Sequence, residues 1–397
     1  MSLIASLNEP FFNEGLYMKE TEQEDWFNEI IGQLISDHAE LLTKVEAGTV
    51  KQSVLELEIA KMIDRSGRYI GRGELVQEII NHMFGYGVLQ KYLEHINTTD
   101  LIGTRYDHFF VKEFGQMRSI PVTFSSEKAF ENFCKLIVIR NGGILNENDN
   151  HARVADENLK LRINVVIPPR SAQGTFLSIR KHRETAYDLE SLKGHEMIDE
   201  QSLQIIRKMA LSSSRFLICG KGAAGKTTLM RAIINEIGQT QRLLICESDT
   251  EIYPESPTAM VQRVLIRGNY GKQVTLNTLI KDGLTMSLDG YCIGEITGPE
   301  AWDFVKAGYT DHRVMGTIHS AGEEEAIFRL LVLSEISDLG IGEHIALDMI
   351  RKSLDYIIYL KDFKVVSISR FKKTKGSENT LSQVYSFQIG DIDDATV

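Results

Sequence analysis

The sequence predicts an α/β protein: a doubly wound, mostly parallel sheet in the C-terminal half, preceded by a smaller α+β domain and a helical N-terminal extension. Three observations predict it. Short continuous apolar runs (Arg215 to Cys219, Leu243 to Glu247, Tyr291 to Ile293, Val314 to Ile318) alternate with helical segments, as strands covered on both faces do. Between Leu75 and about Arg183 helical and strand-like runs mix, whereas before Leu75 helical periodicity runs alone. The chain, at 397 residues, also exceeds one ordinary domain of roughly 150.

Each segment follows from its own pattern. The extension, residues 1–74, rests on apolar spacing at Trp26, Ile30, Ile31, Leu34 and Ile35, and again at Val54, Leu55, Ile59, Met62 and Ile63. The α+β domain, residues 75–185, reads as a helix from Leu75 to Phe84, turn glycines Gly85 and Gly87, and a strand from Phe109 to Glu113. A helix from Lys128 to Arg140 and strands from Leu161 to Ile167 and Thr175 to Arg180 follow. The polar stretch Lys181 to Gln201 marks the boundary and holds a short helix of its own. The third domain, residues 186–397, carries the alternating strands and helices. It closes with a hairpin, Leu354 to Leu360 against Val365 to Phe371, and a polar tail from Lys372 that is expected to be only partly ordered. There is no internal repeat.

Composition narrows the function. Net charge is −11, which disfavours a general nucleic-acid coat, so no stable nucleic-acid partner is expected; a local basic groove stays open. No run approaches the ~18 apolar residues of a membrane span, and Glu9, Glu14, Glu20 and Glu22 stand where a signal peptide would be basic and apolar. The expectation is a cytoplasmic protein without direct membrane insertion. Cys219, Cys246 and Cys292 sit in apolar runs and read as buried thiols rather than disulfide or metal partners.

The strongest motif is Gly220, Lys221, Gly222, Ala223, Ala224, Gly225, Lys226, Thr227, Thr228, which fits G-x-x-x-x-G-K-[ST] between an apolar strand and a helical run, Leu229 to Ile237. Small residues let backbone N–H groups turn inward around a triphosphate. Lys226 offers a cation to the β and γ phosphates, and Thr227 offers a hydroxyl to Mg²⁺. Hydrolysis needs carboxylates from neighbouring strand ends as well. Glu247 and Glu251 follow one strand and Glu295 another; acids there read either as catalytic groups or as partners of a helix N-terminus. His319 ends a further strand, placed either to sense a γ-phosphate or to serve structure.

In order and spacing, the glycine-rich loop, the acidic run Glu247 to Glu251, the strand end Cys292 to Asp303 and the segment Thr317 to Ser320 resemble the secretion ATPases of type II and type IV secretion systems. The likeness is strongest to the CpaF/TadA-like pilus-assembly branch, beside the VirB-type conjugation ATPases. Phe84 to Leu93, Leu161 to Pro169 and Leu177 to Lys181 are similar to that family's G-x-G-x-L, RVNAVIPP and LTIRK segments, so the likeness spans roughly Gly73 to Phe371. The resemblance implies a RecA-like P-loop NTPase domain, a homo-hexameric ring with ATP between the two domains, and ATP and Mg²⁺ as ligands. It also implies an integral membrane component of the secretion or pilus machinery as partner, hence peripheral association with the inner face of the cell membrane.

Residue by residue, the resemblance implies that Lys226 and Thr227 bind phosphate and Mg²⁺, and that Glu247 and Glu251 form the acidic box. Glu295 takes the Walker B glutamate's place and a metal role, His319 the His-box place, and Arg180 and Arg162 those of arginines that reach the nucleotide phosphates. The chain departs from the family where Thr285, Ser287 and Thr297 replace positive residues, Asp311 adds a negative one, and Ser248 stands for a common Asp. Nucleotide binding is expected, with slow turnover resting on Arg180, Arg162 or Arg267. A nucleotide-gated assembly subunit with negligible hydrolysis is the alternative.

Overall fold

The computed structural model describes Ile30, Gln33 and Leu34 and residues 37–46, 49–66, 72–183, 185–265, 273–335, 340–372 and 380–387. Trp26, the first part of the helical extension and Arg267 lie outside the described residues. The chain divides into two compact units: residues 1–154 with 163–181, and residues 155–162 with 182–397.

In the first unit, helices α1 (Ala39–Glu46), α2 (Gln52–Arg65) and α3 (Arg72–Phe84) gather Leu34, Leu55, Ile59, Ile63, Ile79 and Ile80 into one apolar cluster. After the short α4 (Gln90–Glu94) come β1 (Thr98–Arg105), β2 (His108–Glu113), β3 (Gln116–Ile120), helix α5 (Glu127–Arg140), β4 (His151–Asp156), β5 (Leu161–Val166) and β6 (Phe176–Lys181), of which the β4–β5 turn, residues 155–162 with Arg162, belongs to the second unit. The sheet runs β3-β2-β1-β6-β5-β4. Phe109, Phe124 and Phe130 pack beneath it, their ring centroids 5.0 to 5.6 Å apart. The Arg140 guanidinium, at the end of α5, donates to the Phe84 and Gly85 carbonyls, capping the end of α3 and tying the two helices together. Strands β1 and β3 escape the sequence pattern because β1 carries Thr98, Thr99, Asp100 and Gly103, and β3 is an edge whose first four residues face solvent.

The second unit adds α6 (Leu189–Gly194), α7 (Glu200–Leu211), β7 (Phe216–Gly220), α8 (Lys226–Ile237), β8 (Leu243–Glu247), β9 (Ala259–Arg263), α9 (Leu276–Gly283) and β10 (Gly290–Ile293). Then follow α10 (Glu300–Tyr309), β11 (Arg313–His319), α11 (Glu323–Glu335), α12 (Glu343–Ser353), β12 (Tyr356–Lys361), β13 (Lys364–Lys372) and β14 (Thr380–Ser386). The eight strands run β14-β13-β12-β7-β11-β10-β8-β9, parallel from β12 to β9 and antiparallel at β13 and β14. The five buried parallel strands, numbered by chain order, thus run 5-1-4-3-2.

Alternation explains the two covered faces. Phe216, Ile218, Ile245, Cys292, Met315 and Ile358 point to one side with α6, α7 and α8; Leu217, Cys219, Leu244, Ile293, Val314 and Ile357 point to the other with α9 to α12. The fold class is the predicted one, a doubly wound, mostly parallel sheet. Two differences from the sequence reading stand out. Strand β9 is half-exposed throughout and lacks an apolar run, so only its pairing with β8 makes it a strand. Part of the tail folds as β14, because Tyr385 is buried and its hydroxyl donates to Asp199 Oδ2 at 2.8 Å, on the carboxylate that already caps α7.

Two buried arginines close the amino ends of the central strands. Arg313, which opens β11, donates to the Met209 and Ala210 carbonyls at the end of α7. Arg215, just before β7, forks onto Asp355 with Nε and Nη2 at 3.1 Å and sends Nη1 to the Gly308 carbonyl at 2.6 Å. Removing the acid strands a buried charge. Asp355→Ala is therefore expected to destabilise the protein by about 3 to 5 kcal/mol, measured by denaturant unfolding, and a change within 0.5 kcal/mol would show the pair to be dispensable.

Candidate functional site

The glycine-rich loop leaves β7 at a point where only glycine fits. A Cβ on Gly220 would lie 2.4 Å from the Leu360 carbonyl oxygen of β12, and Gly225 turns into α8 at φ 93°. The intervening Ala223 also takes a left-handed φ of 59°. The loop thereby curls over the start of α8, whose first N–H groups have no helical partner. Lys226 opens that helix, is 7% exposed, and donates from Nζ to the Gly220 and Lys221 carbonyls at 3.1 and 2.9 Å. Burial pulls its pKa below the usual lysine value, against the opposing pull of Glu295. An anion in the loop would restore the charge that burial penalises.

Thr227 Oγ1 donates to Glu251 Oε2 at 3.0 Å. The hydroxyl's hydrogen is thus committed to a carboxylate, leaving its lone pairs for a cation. The other Glu251 oxygen, Oε1, accepts from Arg162 Nη1 at 2.7 Å, and Asp249 Oδ2 lies 3.5 Å from the same nitrogen. Asp249 is a site residue that sequence reading passed over; its only signal was membership of the acidic run.

Glu247 belongs to the interior. It is 1% exposed; its Oε1 accepts the backbone N–H groups of Glu251 and Ile252 at 3.1 and 2.7 Å, which folds the acidic loop back over β8. Its Oε2 meets no hydrogen-bond donor among the described residues, and burial pushes its pKa up to about 8.

The strand ends beyond hold a second pair. Thr317 Oγ1 donates to the Gly294 carbonyl at 2.6 Å, while the Ile296 N–H donates to the Thr317 carbonyl at 2.8 Å. These bonds hold the turn after β10 against β11 and set Glu295 Oε1 2.7 Å from His319 Nε2. Burial, with Lys226 second, pulls the His319 pKa below its usual value, against the opposing pull of Glu295. In register His319 stands beside Gly220.

The structure therefore gathers Lys226, Thr227, Glu251, Arg162, Glu295 and His319 around the carboxyl ends of β7, β8, β10 and β11. Arg180 belongs to the first unit, where its Nε donates to Asp100 Oδ1 at 2.9 Å. At the positions where the family resemblance sets positive residues and this chain departs, the Thr285 hydroxyl donates to the Asp282 carbonyl, Ser287 takes a left-handed φ of 51°, and the Thr297 N–H donates to Glu300. Cys219, Cys246 and Cys292 are buried on their strands, each with its thiol pushed up by burial.

The sequence profile described as "Type II/IV secretion system protein" matches residues 146–369. The chain belongs to that family. A Mycobacterium tuberculosis protein named "Putative conjugal transfer protein" is 28% identical over 263 residues, covering 64% of this chain and 74% of its own. The type IV secretion system protein VirB11 of Brucella suis is 27% identical over 191 residues, 47% of this chain and 52% of its own. Among solved structures, the pilus retraction motor PilT with bound ADP superposes with a TM-score of 0.51 at 16% identity, over 74% of this chain and 80% of that one. The shared feature with PilT is the fold. In this type II/IV secretion system protein the profile match takes in the glycine-rich loop, the acidic run, Glu295 and His319, and begins only at residue 146, after α5.

The Glu247 carboxyl titrates near 4.5 when exposed and at about 8 in the fold, so it is uncharged at neutral pH. Its stabilising share is complete below about pH 4.5 and disappears as the pH rises through 8. Unfolding free energy should fall by on the order of 3 kcal/mol more between pH 5 and 8 in the native chain than in Glu247→Gln. Parallel pH profiles for the two proteins would refute a protonated Glu247.

Proposed function

We propose that this chain is an ATP-hydrolysing motor of a bacterial secretion, pilus-assembly or conjugation machine. It works as a homo-hexameric ring at the cytoplasmic face of the membrane, recruited by an integral membrane component. The observation that carries the reading is Lys226, desolvated at the mouth of a glycine-built loop, with Thr227 held by Glu251 and Glu295 held by His319 at neighbouring strand ends. A phosphate chain is the ligand for which a buried ammonium, a helix N-terminus and converging carboxylates are together useful. The family's curated relatives, named for type IV secretion and conjugal transfer, support the cellular setting.

In this reading Gly220, Gly222, Ala223, Ala224, Gly225 and Thr228 supply backbone and hydroxyl donors, and Lys226 leaves its loop carbonyls for the β and γ phosphates. The donor set fits Mg²⁺: a hydroxyl oxygen whose hydrogen points away, with Glu251 and Glu295 as hard oxygen groups for its water shell. Bound there, Mg²⁺ would neutralise charge on the transferred phosphoryl group. Glu295, held at 2.7 Å by His319, is the base that orients the attacking water. Arg180 must give up Asp100 to take the transition-state role that the family resemblance implies. A second reading, a nucleotide-gated assembly subunit with negligible turnover, is favoured by the neutral Thr285, Ser287 and Thr297.

Lys226→Ala should weaken ATP binding by roughly 1.5 to 3 kcal/mol and abolish phosphate release, since one charge-assisted contact is lost. Near-native release in titrated, steady-state assays would remove the loop from the mechanism. Glu295→Gln should retain ATP binding while phosphate release drops by about 10² or more, as expected when a general base is lost. Unchanged turnover would shift the base to another acid, and a silent native protein, even with its membrane partner, would select the second reading.

A further inference from the structure

The carboxylate of Glu251 serves two masters. Oε2 accepts from Thr227, the loop hydroxyl, and Oε1 accepts from Arg162, 89 positions earlier in the chain. Charge-assisted N–H···O bonds of 2.7 Å are the stronger kind, and Asp249 at 3.5 Å steadies the same guanidinium. Arg162 is about a quarter exposed, as is each of its acidic partners, so neither is sealed away and both can exchange.

We propose that Arg162 is a positioning residue that competes with the divalent cation for Glu251, locking the acid while the site lacks metal and releasing it when metal–nucleotide arrives. A cation on Thr227 Oγ1 stands directly beside Glu251, so the guanidinium and the metal are like charges on one carboxylate. Each weakens the other's hold. Metal binding is thus coupled to freeing Arg162, and by linkage anything that draws Arg162 away raises metal affinity by the same factor. The inference rests on the proposed phosphate site in the loop.

The segment that carries Arg162 does not depend on this pair. Glu157 bonds Arg263, and Lys160 Nζ lies 5.4 Å above the Tyr253 ring, so residues 155–162 keep other anchors when Arg162 is changed.

The test is titration of the full chain with a fluorescent ADP analogue, first in EDTA and then with MgCl₂ added at fixed nucleotide. Arg162→Gln is expected to lower the Mg²⁺ concentration for half-maximal enhancement of binding by about three- to tenfold. Arg162→Lys, which keeps charge but loses the planar fork, should fall between native and Gln. Circular dichroism and thermal unfolding report whether each variant is folded; should Arg162→Gln fail to fold, the Lys variant must still shift in the same direction. An unchanged or higher Mg²⁺ requirement in a variant that binds metal-free ADP overturns the competition and leaves the phosphate site standing. Absence of ADP binding by the native chain overturns both.

Discussion

Strands β7 and β8 follow one another in the chain, yet β11 and β10 lie between them in the sheet. Everything at the site depends on that crossover. Connections leave β7 in one direction and later strands fill the gap, so the carboxyl ends of β7, β11, β10 and β8 form one row, each ending in a group of different chemistry. In order the row presents a glycine-rich loop, His319, Glu295 and Glu247 with its acidic loop. A parallel sheet buried on both faces makes the row rigid, because a shift of any strand would expose apolar residues from both core clusters.

On this frame the charges are satisfied internally. Lys226 bonds two carbonyls of its own loop, Thr227 and Arg162 divide Glu251, and His319 bonds Glu295. Each arrangement stops short of a good resting place for charge: the ammonium is desolvated, and burial and Lys226 pull the imidazole's pKa down. A desolvated ammonium of this kind gains from a neighbouring anion. Glu247 takes the opposite part. Buried and unpaired on one oxygen, it uses the other to hold the acidic loop in shape, and at neutral pH it keeps its proton.

The amino ends of the same strands are fixed by arginines of a different kind. Arg215 and Arg313 are buried and spend their donors on Asp355, Gln241 and the carbonyls of helix ends. Arg162 and Arg180 are more exposed, and each is held by carboxylates it can leave. Side-chain burial thus separates structural arginines from available ones, although all four look alike in the sequence.

The sequence by itself determined the doubly wound class, the glycine-rich loop and the acids at strand ends. Those signals are local: an apolar run long enough for a buried strand, and glycines where the chain must turn tightly. Strands β1, β3, β4, β9 and β14 were not legible, since polar or half-exposed residues become strands only through a neighbour's ladder. Only the tertiary structure distinguished Glu247, sealed in the core, from Glu251, four residues on and facing Thr227. Only it joined Arg162 to Glu251. Spacing along the chain records neither desolvation nor contacts across 89 positions, and those two quantities decide which acid is sealed in the core and which bonds Thr227 and Arg162.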